Sequence, residues 1–142
     1  MDTFTDAPES FAPHFRKSPL TDPWEPIFSK REPGKVVIGL HAREAHCNSR
    51  GMVHGGLIAA LADNAMGLSC VETLIGEGRK PEGGLVTVSL STDFIGAAKL
   101  GQWVAFDTVY VKTGRTLCFA QAFVAADGVV IARADARFKV TQ

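Results

Sequence analysis

The chain has 142 residues, and its 15 basic and 15 acidic side chains leave a formal net charge of zero at pH 7. This length predicts one domain with a hydrophobic core of its own. The balanced charge excludes the strongly basic classes of protein, so neither nucleic acid nor an anionic membrane surface is expected as a partner.

Other features of the composition concern the compartment. The opening residues, MDTFTDAPES, are acidic and lack an apolar stretch, which argues against a secretory signal peptide. The longest apolar run, residues 57–75, is interrupted by polar side chains, so we do not expect a membrane span. The three cysteines are scattered without a paired spacing, which predicts reduced thiols and a cytoplasmic protein.

The first part of the chain, residues 1–33, is a proline-rich leader ahead of a predicted main domain at residues 34–142. The leader holds six of the seven prolines. Regular structure there can therefore only be short, such as one helical turn around residues 10–17. Aromatic residues recur through it, at Phe4, Phe11, Phe15 and Trp24. We predict that the leader packs against the body of the main domain.

From Gly34 onward the pattern predicts strands around one apolar helix. Residues 35–43 alternate and are rich in β-branched side chains, which indicates a strand. Residues 55–75 are apolar on nearly every face, and a helix of that kind must be surrounded by other elements. Four more strands are predicted at residues 85–95, 102–112, 116–126 and 129–140.

Two turn signals separate the last three predicted strands. They are Thr113-Gly114-Arg115 and Asp127-Gly128, and Asp-Gly between apolar runs is typical of a β-hairpin. Links this short force neighbouring strands to be antiparallel. A five-stranded antiparallel sheet curled around the central helix satisfies the whole pattern, so the predicted fold class is α+β.

Gly55 and Gly56 stand at the start of the predicted helix. A glycine pair there lets the backbone approach a ligand and leaves the first N–H groups without partners. With the helix dipole behind them, those groups suit a carbonyl oxygen that is gaining negative charge. A tight turn that needs positive φ is the alternative interpretation, and the two glycines alone do not decide between them.

Asp63 lies inside the apolar run, where a carboxylate is costly unless it is bonded, and where burial raises its pKa. Such positions are often functional. A structural aspartate bonded to a loop or a neighbouring chain is the alternative. The residues near it on its face of the helix are small: Ala59, Ala60, Gly67 and Cys70. The small side chains therefore leave space on this face of the helix for either a ligand or a second chain.

Asp63 and Gly55 cannot act on the same carbonyl from one helix. Asp63 lies eight positions after Gly55, which corresponds to roughly 12 Å along the axis at 1.5 Å per residue. If both serve one reaction, two chains of a symmetric dimer must contribute to each site.

Three further residues are candidates. Asn48 either donates to a ligand carbonyl or holds its loop. His54 either acts as a base or fixes the loop through hydrogen bonds, and the second role is favoured. Thr87, on a strand face it shares with Ser89 and Ser91, either orients water or a carboxylate or is an ordinary solvent-side threonine. The histidines and cysteines show no metal-ligand spacing, so no metal is expected.

The chain resembles the PaaI-like branch of the hotdog-fold acyl-CoA thioesterases, within the 4-hydroxybenzoyl-CoA thioesterase superfamily. The resemblance is carried by Asn48, His54-Gly55-Gly56 and Asp63 at their spacing, followed by VSLSTDF and AAKLG. It runs from about Gly34 to the C-terminus and includes the KTGRTL turn at residues 112–117. The resemblance implies a hotdog fold, in which an antiparallel sheet wraps around a long central helix. It also implies edge-to-edge sheets in a homodimer, or a dimer of dimers that makes a homotetramer.

The resemblance implies a role for each catalytic candidate. The N–H of Gly55 and the side chain of Asn48 polarise the thioester carbonyl. Asp63 of the other chain acts as a general base on water, or as a nucleophile. Thr87 takes the place of a hydroxyl residue, often serine, that helps to position water.

The substrate implied by the resemblance is an acyl-CoA, and no cofactor besides this substrate is expected. Coenzyme A carries phosphates, so cationic side chains are expected near the mouth of the site. The candidates for binding substrate are His54, Gly56, Lys99, Lys112 and Arg115. They complete the set of predicted site residues.

The predicted function is hydrolysis of an aryl- or medium-chain acyl-CoA to the free acid and CoA. A non-catalytic acyl-CoA binding module is one alternative, and it would show no turnover. A hotdog hydratase or dehydratase is the other. That chemistry generally pairs an acidic residue with a catalytic histidine, and no histidine follows Asp63 in the chain.

Overall fold

A computed structural model describes residues 7–141, with an antiparallel sheet of seven strands wrapped around helix α1, Gly55–Gly76. The strands are β1 Ala12–Pro13, β2 Phe28–Glu32, β3 Lys35–His41, β4 Leu85–Phe94, β5 Trp103–Thr113, β6 Leu117–Ala126 and β7 Val129–Val140. Their order across the sheet is β1-β2-β3-β5-β6-β7-β4. Short 3-10 helices lie at Asp22–Trp24 and Glu44–His46. This arrangement confirms the predicted α+β class and the hotdog fold.

The helix and the five strands predicted from Gly34 onward lie within two residues of their expected bounds. The β6–β7 hairpin turns at Asp127 and Gly128, whose φ angles are 46° and 84°, as a tight two-residue hairpin requires. The core fills the space between the concave face of the sheet and α1. Its largest fully buried side chains include Phe106, Phe138 and Met66.

The described part of the leader, residues 7–33, lies against the body and adds two strands to the predicted five. In β2, Phe28 pairs with Gly39 of β3, and the two-residue β1 pairs with β2 in turn. The division of the chain at residue 34 stays a prediction, although β2 precedes that boundary. Of the leader aromatics named above, Phe4 lies outside the described residues.

The helical turn expected around residues 10–17 is wrong. This stretch contains β1, and the backbone N–H of His14 donates to the carbonyl of Ile27 at 2.9 Å. Because Pro13 has no N–H to donate, it suits an edge strand and not the interior of a helix. The guanidinium of Arg43 fixes the next part of the leader by donating to the backbone carbonyls of Pro23 and Glu25.

Within residues 7–141, one helix is long and apolar enough to cross a membrane by length and composition, and it is α1. Its apolar side chains lie in the protein core and pack against strands β3 to β7. They include Leu57, Ile58, Leu61, Met66 and Leu74. α1 is therefore the central helix that the sequence predicts.

Strand β4 forms one edge of the sheet and contains a bulge at Val88. Thr87 pairs with Phe138 of β7, but the next paired residue is Ser89, opposite Arg137. Since paired residues share a face, Thr87 points to the helix side with the buried Phe138, and Ser89 points to the outer side. The prediction that Thr87 shares a hydroxylated face with the two serines is wrong, because the bulge reverses the alternation.

Candidate active site

Asp63 lies in the middle of α1, on the side that faces β4. Its Oδ1 accepts a hydrogen bond from Oγ1 of Thr87 at 2.7 Å. Burial raises the pKa of this carboxyl, and the bond from Thr87 opposes that rise. No lysine or arginine among residues 7–141 forms an ion pair with Asp63. A partly buried carboxylate with a raised pKa and a hydroxyl beside it is suited to accept a proton from water.

The start of α1 places the N–H of Gly55 at the positive end of the helix dipole. His54 is the N-cap, and its Nδ1 accepts the N–H of Gly56 at 2.8 Å, which is the loop-fixing role favoured for it. The N–H of Gly55 has no acceptor among residues 7–141. Gly55 and Gly56 both have helical backbones without positive φ, so the tight-turn interpretation is wrong.

A side chain at position 55 would crowd a neighbouring aromatic ring. A Cβ atom there would lie 3.2 Å from Cζ of Phe94, whose ring covers the helix start from the end of β4. A larger residue would push the ring aside and change the surroundings of the free N–H.

The loop before the helix fixes the amide of Asn48. Its Oδ1 accepts the backbone N–H groups of Arg50 at 2.9 Å and Met52 at 3.2 Å. With the oxygen used in this way, the amide nitrogen is left to donate to a ligand. The two roles considered for Asn48, holding its loop and donating to a carbonyl, are therefore compatible.

The structure brings Asp63 and Thr87 together but keeps them apart from the donors at the helix start. α1 is continuous from Gly55 to Gly76, so the eight positions from Gly55 to Asp63 correspond to roughly 12 Å along its axis. One protomer thus carries a carboxylate half-site and a separate donor half-site.

The three candidate cations are not grouped in one protomer. Lys99 forms a backbone bridge with Met52, close to the helix start. Lys112 and Arg115 lie at the far end of β5, a strand of 11 residues that extends about 35 Å at 3.3 Å per residue. There, the carbonyl of Arg115 accepts from Nη2 of Arg79 at 3.0 Å. The three cations therefore lie in separate places in a single chain, and their role in binding substrate stays a prediction.

A cavity of about 250 Å³, which we call the Asp63 cavity, opens beside the carboxylate. Its apolar walls come from Leu68 and Val71 of α1, Leu85 of β4 and Phe138 of β7. Gly67 lies on the same wall, as expected from the small residues near Asp63 on the helix, whereas Cys70 is fully buried in the core. This small space has apolar walls that suit an acyl group, together with the polar side chains of Asp63 and Thr87.

Sequence reasoning missed two polar residues of this cavity, Arg16 and Asn64. Recurring aromatic residues did signal that the leader packs on the body, but they did not specify where. Among residues 7–141, no group of three or more His, Cys, Asp or Glu side chains is placed to hold a metal ion.

Comparison with known proteins gives concordant matches. The family model described as Thioesterase superfamily matches residues 50–132. The putative esterase PA0474 of Pseudomonas aeruginosa is 36% identical over 134 residues, which cover 94% of this chain and 96% of that protein. Human acyl-coenzyme A thioesterase 13 is 37% identical over 89 residues, which cover 61% of this chain and 58% of that protein. A mutant of the phenylacetic acid degradation protein PaaI from Thermus thermophilus superposes with a TM-score of 0.73 at 22% identity, covering 87% of this chain and 100% of that one.

Proposed function

Because the chain belongs to the thioesterase superfamily and is a PaaI-like thioester hydrolase with the hotdog fold, we propose that it hydrolyses aryl- or medium-chain acyl-CoA to the free acid and CoA. The observation that carries the proposal is the pair of Asp63 and Thr87 beside a cavity with apolar side chains on its walls. The likeness to acyl-coenzyme A thioesterase 13 supports acyl-CoA as the substrate class.

In the proposed reaction, Asp63 acts on a water molecule held between its carboxylate and the thioester. The bond from Thr87 occupies Oδ1 and leaves Oδ2 for the water. Oδ2 takes a proton while the water oxygen bonds to the carbonyl carbon, and the carbonyl oxygen becomes an oxyanion. The oxyanion then collapses, the C–S bond breaks, and the CoA sulfur leaves with the proton returned from Asp63. Direct attack by Asp63, giving a mixed anhydride that water cleaves, would use the same residues.

The oxyanion needs donors that Asp63's own protomer cannot bring to the same carbonyl. We assign them to the partner protomer: the N–H of its Gly55 and the amide of its Asn48, with His54 and Gly56 flanking the substrate. The β4 edge supports such a dimer. One side of β4 pairs with β7, but its outer side pairs with no strand among residues 7–141. Its exposed apolar side chains include Val86 at 52% and Val88 at 53%. Edge-to-edge pairing in a homodimer would cover this edge, and a dimer of dimers extends the same arrangement.

The phosphates of CoA would meet cationic side chains at the mouth of the site. Lys99 is the best placed of the predicted cations because it lies beside the loop that leads to Gly55. Lys112 and Arg115 would take part only if a partner protomer brought the far end of β5 to the site. The free thiols of the cysteines support the cytoplasm as the compartment.

Release of free thiol from a panel of aromatic and aliphatic acyl-CoAs tests the proposal. We expect hydrolysis by the wild type and its loss in Asp63→Asn. Asp107→Asn is the matched control, since Asp107 pairs with Lys35 at 2.8 Å, away from the cavity. Tight binding without turnover by the wild type would indicate a binding module instead. Full activity in a folded Asp63→Asn protein would overturn the mechanism.

A further inference from the structure

The leader crosses α1 next to the proposed catalytic carboxylate and is fixed there. Nε2 of His14 lies 3.0 Å from Oδ1 of Asn64, the residue that follows Asp63, and His14 is only 2% exposed. On the other side of Arg16, Lys17 pairs with Glu25 at 3.0 Å. Arg16 lies between these two residues in the sequence, and its side chain is exposed.

Arg16 lines the Asp63 cavity and carries a charge without a partner. Among residues 7–141 it forms neither a hydrogen bond nor an ion pair, whereas Arg31 in the same leader pairs with Glu72 at 3.7 Å. Arg16 and Asp63 line the same cavity but form no ion pair with each other within residues 7–141. The guanidinium offers five N–H donors to whatever enters the cavity.

Asn64 adds a second donor to the same cavity. Burial lowers the pKa of His14, so its ring is neutral near pH 7. Nδ1 of His14 has no partner, and we therefore assign the ring proton to Nε2, which donates to Oδ1 of Asn64. With that oxygen used, the amide nitrogen of Asn64 is left for the cavity. Two donors without acceptors thus line the cavity, together with Asp63, Thr87 and the apolar side chains named above.

We propose that Arg16 is a specificity-determining residue, which binds a carboxylate at the end of the acyl group away from the thioester. The preferred substrates are then CoA thioesters of dicarboxylic acids. The planar fork of a guanidinium fits a carboxylate through two parallel hydrogen bonds. Asp63 repels the same carboxylate, so the thioester end and not the acid end is placed at the catalytic group. This inference rests on the proposed function.

Matched substrate pairs test it: hexanoyl-CoA against adipoyl-CoA, and octanoyl-CoA against suberoyl-CoA. The measured quantity is the ratio of kcat/KM within each pair. In the wild type we expect the ratio to favour the carboxylated member, and Arg16→Met to lower that ratio by about tenfold to a hundredfold, the range of a hydrogen bond to a charged group. Arg16→Lys keeps the charge without the fork and should give an intermediate ratio.

Lys30→Met is the control, because it removes one positive charge from the same leader but outside the cavity. It should leave the ratio unchanged. A wild-type preference for the methyl-ended members, or an equal effect of Arg16→Met on both members, would overturn the inference. If thermal denaturation shows that Arg16→Met does not fold, Arg16→Lys is used instead. A ratio of kcat/KM below that of the wild type then supports the inference, and an unchanged ratio overturns it.

The proposed function fails separately from this inference. If neither these pairs nor the aromatic acyl-CoAs are hydrolysed, the proposed function is wrong, and if hydrolysis survives Asp63→Asn, the proposed mechanism is wrong. If hexanoyl-CoA is hydrolysed with full dependence on Asp63 but the Arg16 variants keep the wild-type ratio of kcat/KM within each pair, only the assignment of Arg16 is wrong.

Discussion

The hydroxyl of Thr87 donates a 2.7 Å hydrogen bond to Oδ1 of Asp63, across the space between β4 and α1. The bulge at Val88 makes this contact possible, because it turns Thr87 to the helix side of the strand. The bond stabilises the ionised carboxylate, whereas burial favours the protonated form. The balance between these two effects sets the pH at which Asp63 can accept a proton.

Thr87→Val removes the donor and keeps the shape of the side chain. We expect the pKa of Asp63 to rise further, so the acid limb of the kcat/KM profile moves to higher pH. We also expect kcat to fall by about a hundredfold, the low end for a group that assists proton transfer. Thr87→Ser retains the hydroxyl and should keep the wild-type limb. An unmoved limb in Thr87→Val would contradict the orienting role.

Asp63→Asn should show that the carboxylate costs stability at neutral pH. Because the folded-state pKa is raised above the ordinary value of 3.8, Asp63 favours folding only when protonated. That contribution is present below the unfolded-state pKa and is lost as the pH rises through the folded-state pKa. The amide introduced by the substitution stays neutral at every pH and can still accept from Thr87. Urea denaturation should therefore show a larger gain for Asp63→Asn over the wild type at pH 7 than at pH 4.

A shared site predicts that two inactive variants rescue each other. Asn48→Ala and Asp63→Ala should each abolish most activity, but a mixed dimer holds one intact site. After subunit exchange of equal amounts, half of the dimers are mixed, so about a quarter of wild-type thiol release should return. Asp63→Ala mixed with Asp63→Asn is the control and should recover nothing. If native mass spectrometry shows mixed dimers without recovered activity, the shared site is wrong.

The predictable parts of this fold were those with local signals. Alternating side chains and the Asp127-Gly128 turn located the strands after Gly34, since both depend on neighbours in the sequence. The bulge at Val88 had no such signal, and it reversed the assignment of Ser89 and Ser91. The contact of His14 with Asn64 joins residues 50 positions apart. It depends on the path of a proline-rich segment that carries no periodicity.

A charge on the β4 edge should separate the protomers. Val86→Asp places a carboxylate where edge-to-edge pairing would bury it without a partner. We expect a monomer by light scattering and loss of thioester hydrolysis, although Asp63 and Thr87 stay in place. Val129→Asp is the matched control, because Val129 is 67% exposed beside the β6–β7 turn. A fully active Val86→Asp dimer would exclude this edge as the interface.

Two glycines of the same fold should respond oppositely to alanine. At Gly39 a Cβ atom would collide with the indole of Trp103, so Gly39→Ala should lower the free energy of unfolding by about 1–3 kcal/mol, as overpacking does. At Gly76, the last residue of α1, a Cβ atom meets nothing within 4 Å. Gly76→Ala should therefore be neutral or stabilising by up to about 1 kcal/mol. Thermal denaturation of both variants measures the difference, and equal effects would contradict the packing of Trp103 over β3.

The leader wall of the Asp63 cavity has a consequence for how the two tasks of the protein are encoded. Asp63 and Thr87 lie inside residues 50–132, the stretch that matches the family, whereas His14 and Arg16 lie well before it. The anchored contact between His14 and Asn64 joins these separate stretches in space. On the proposed assignments, substitutions in the leader would change which acyl groups fit without changing the groups that break the thioester. The proposed specificity residue and the proposed reaction centre are thus encoded in separate stretches of the chain.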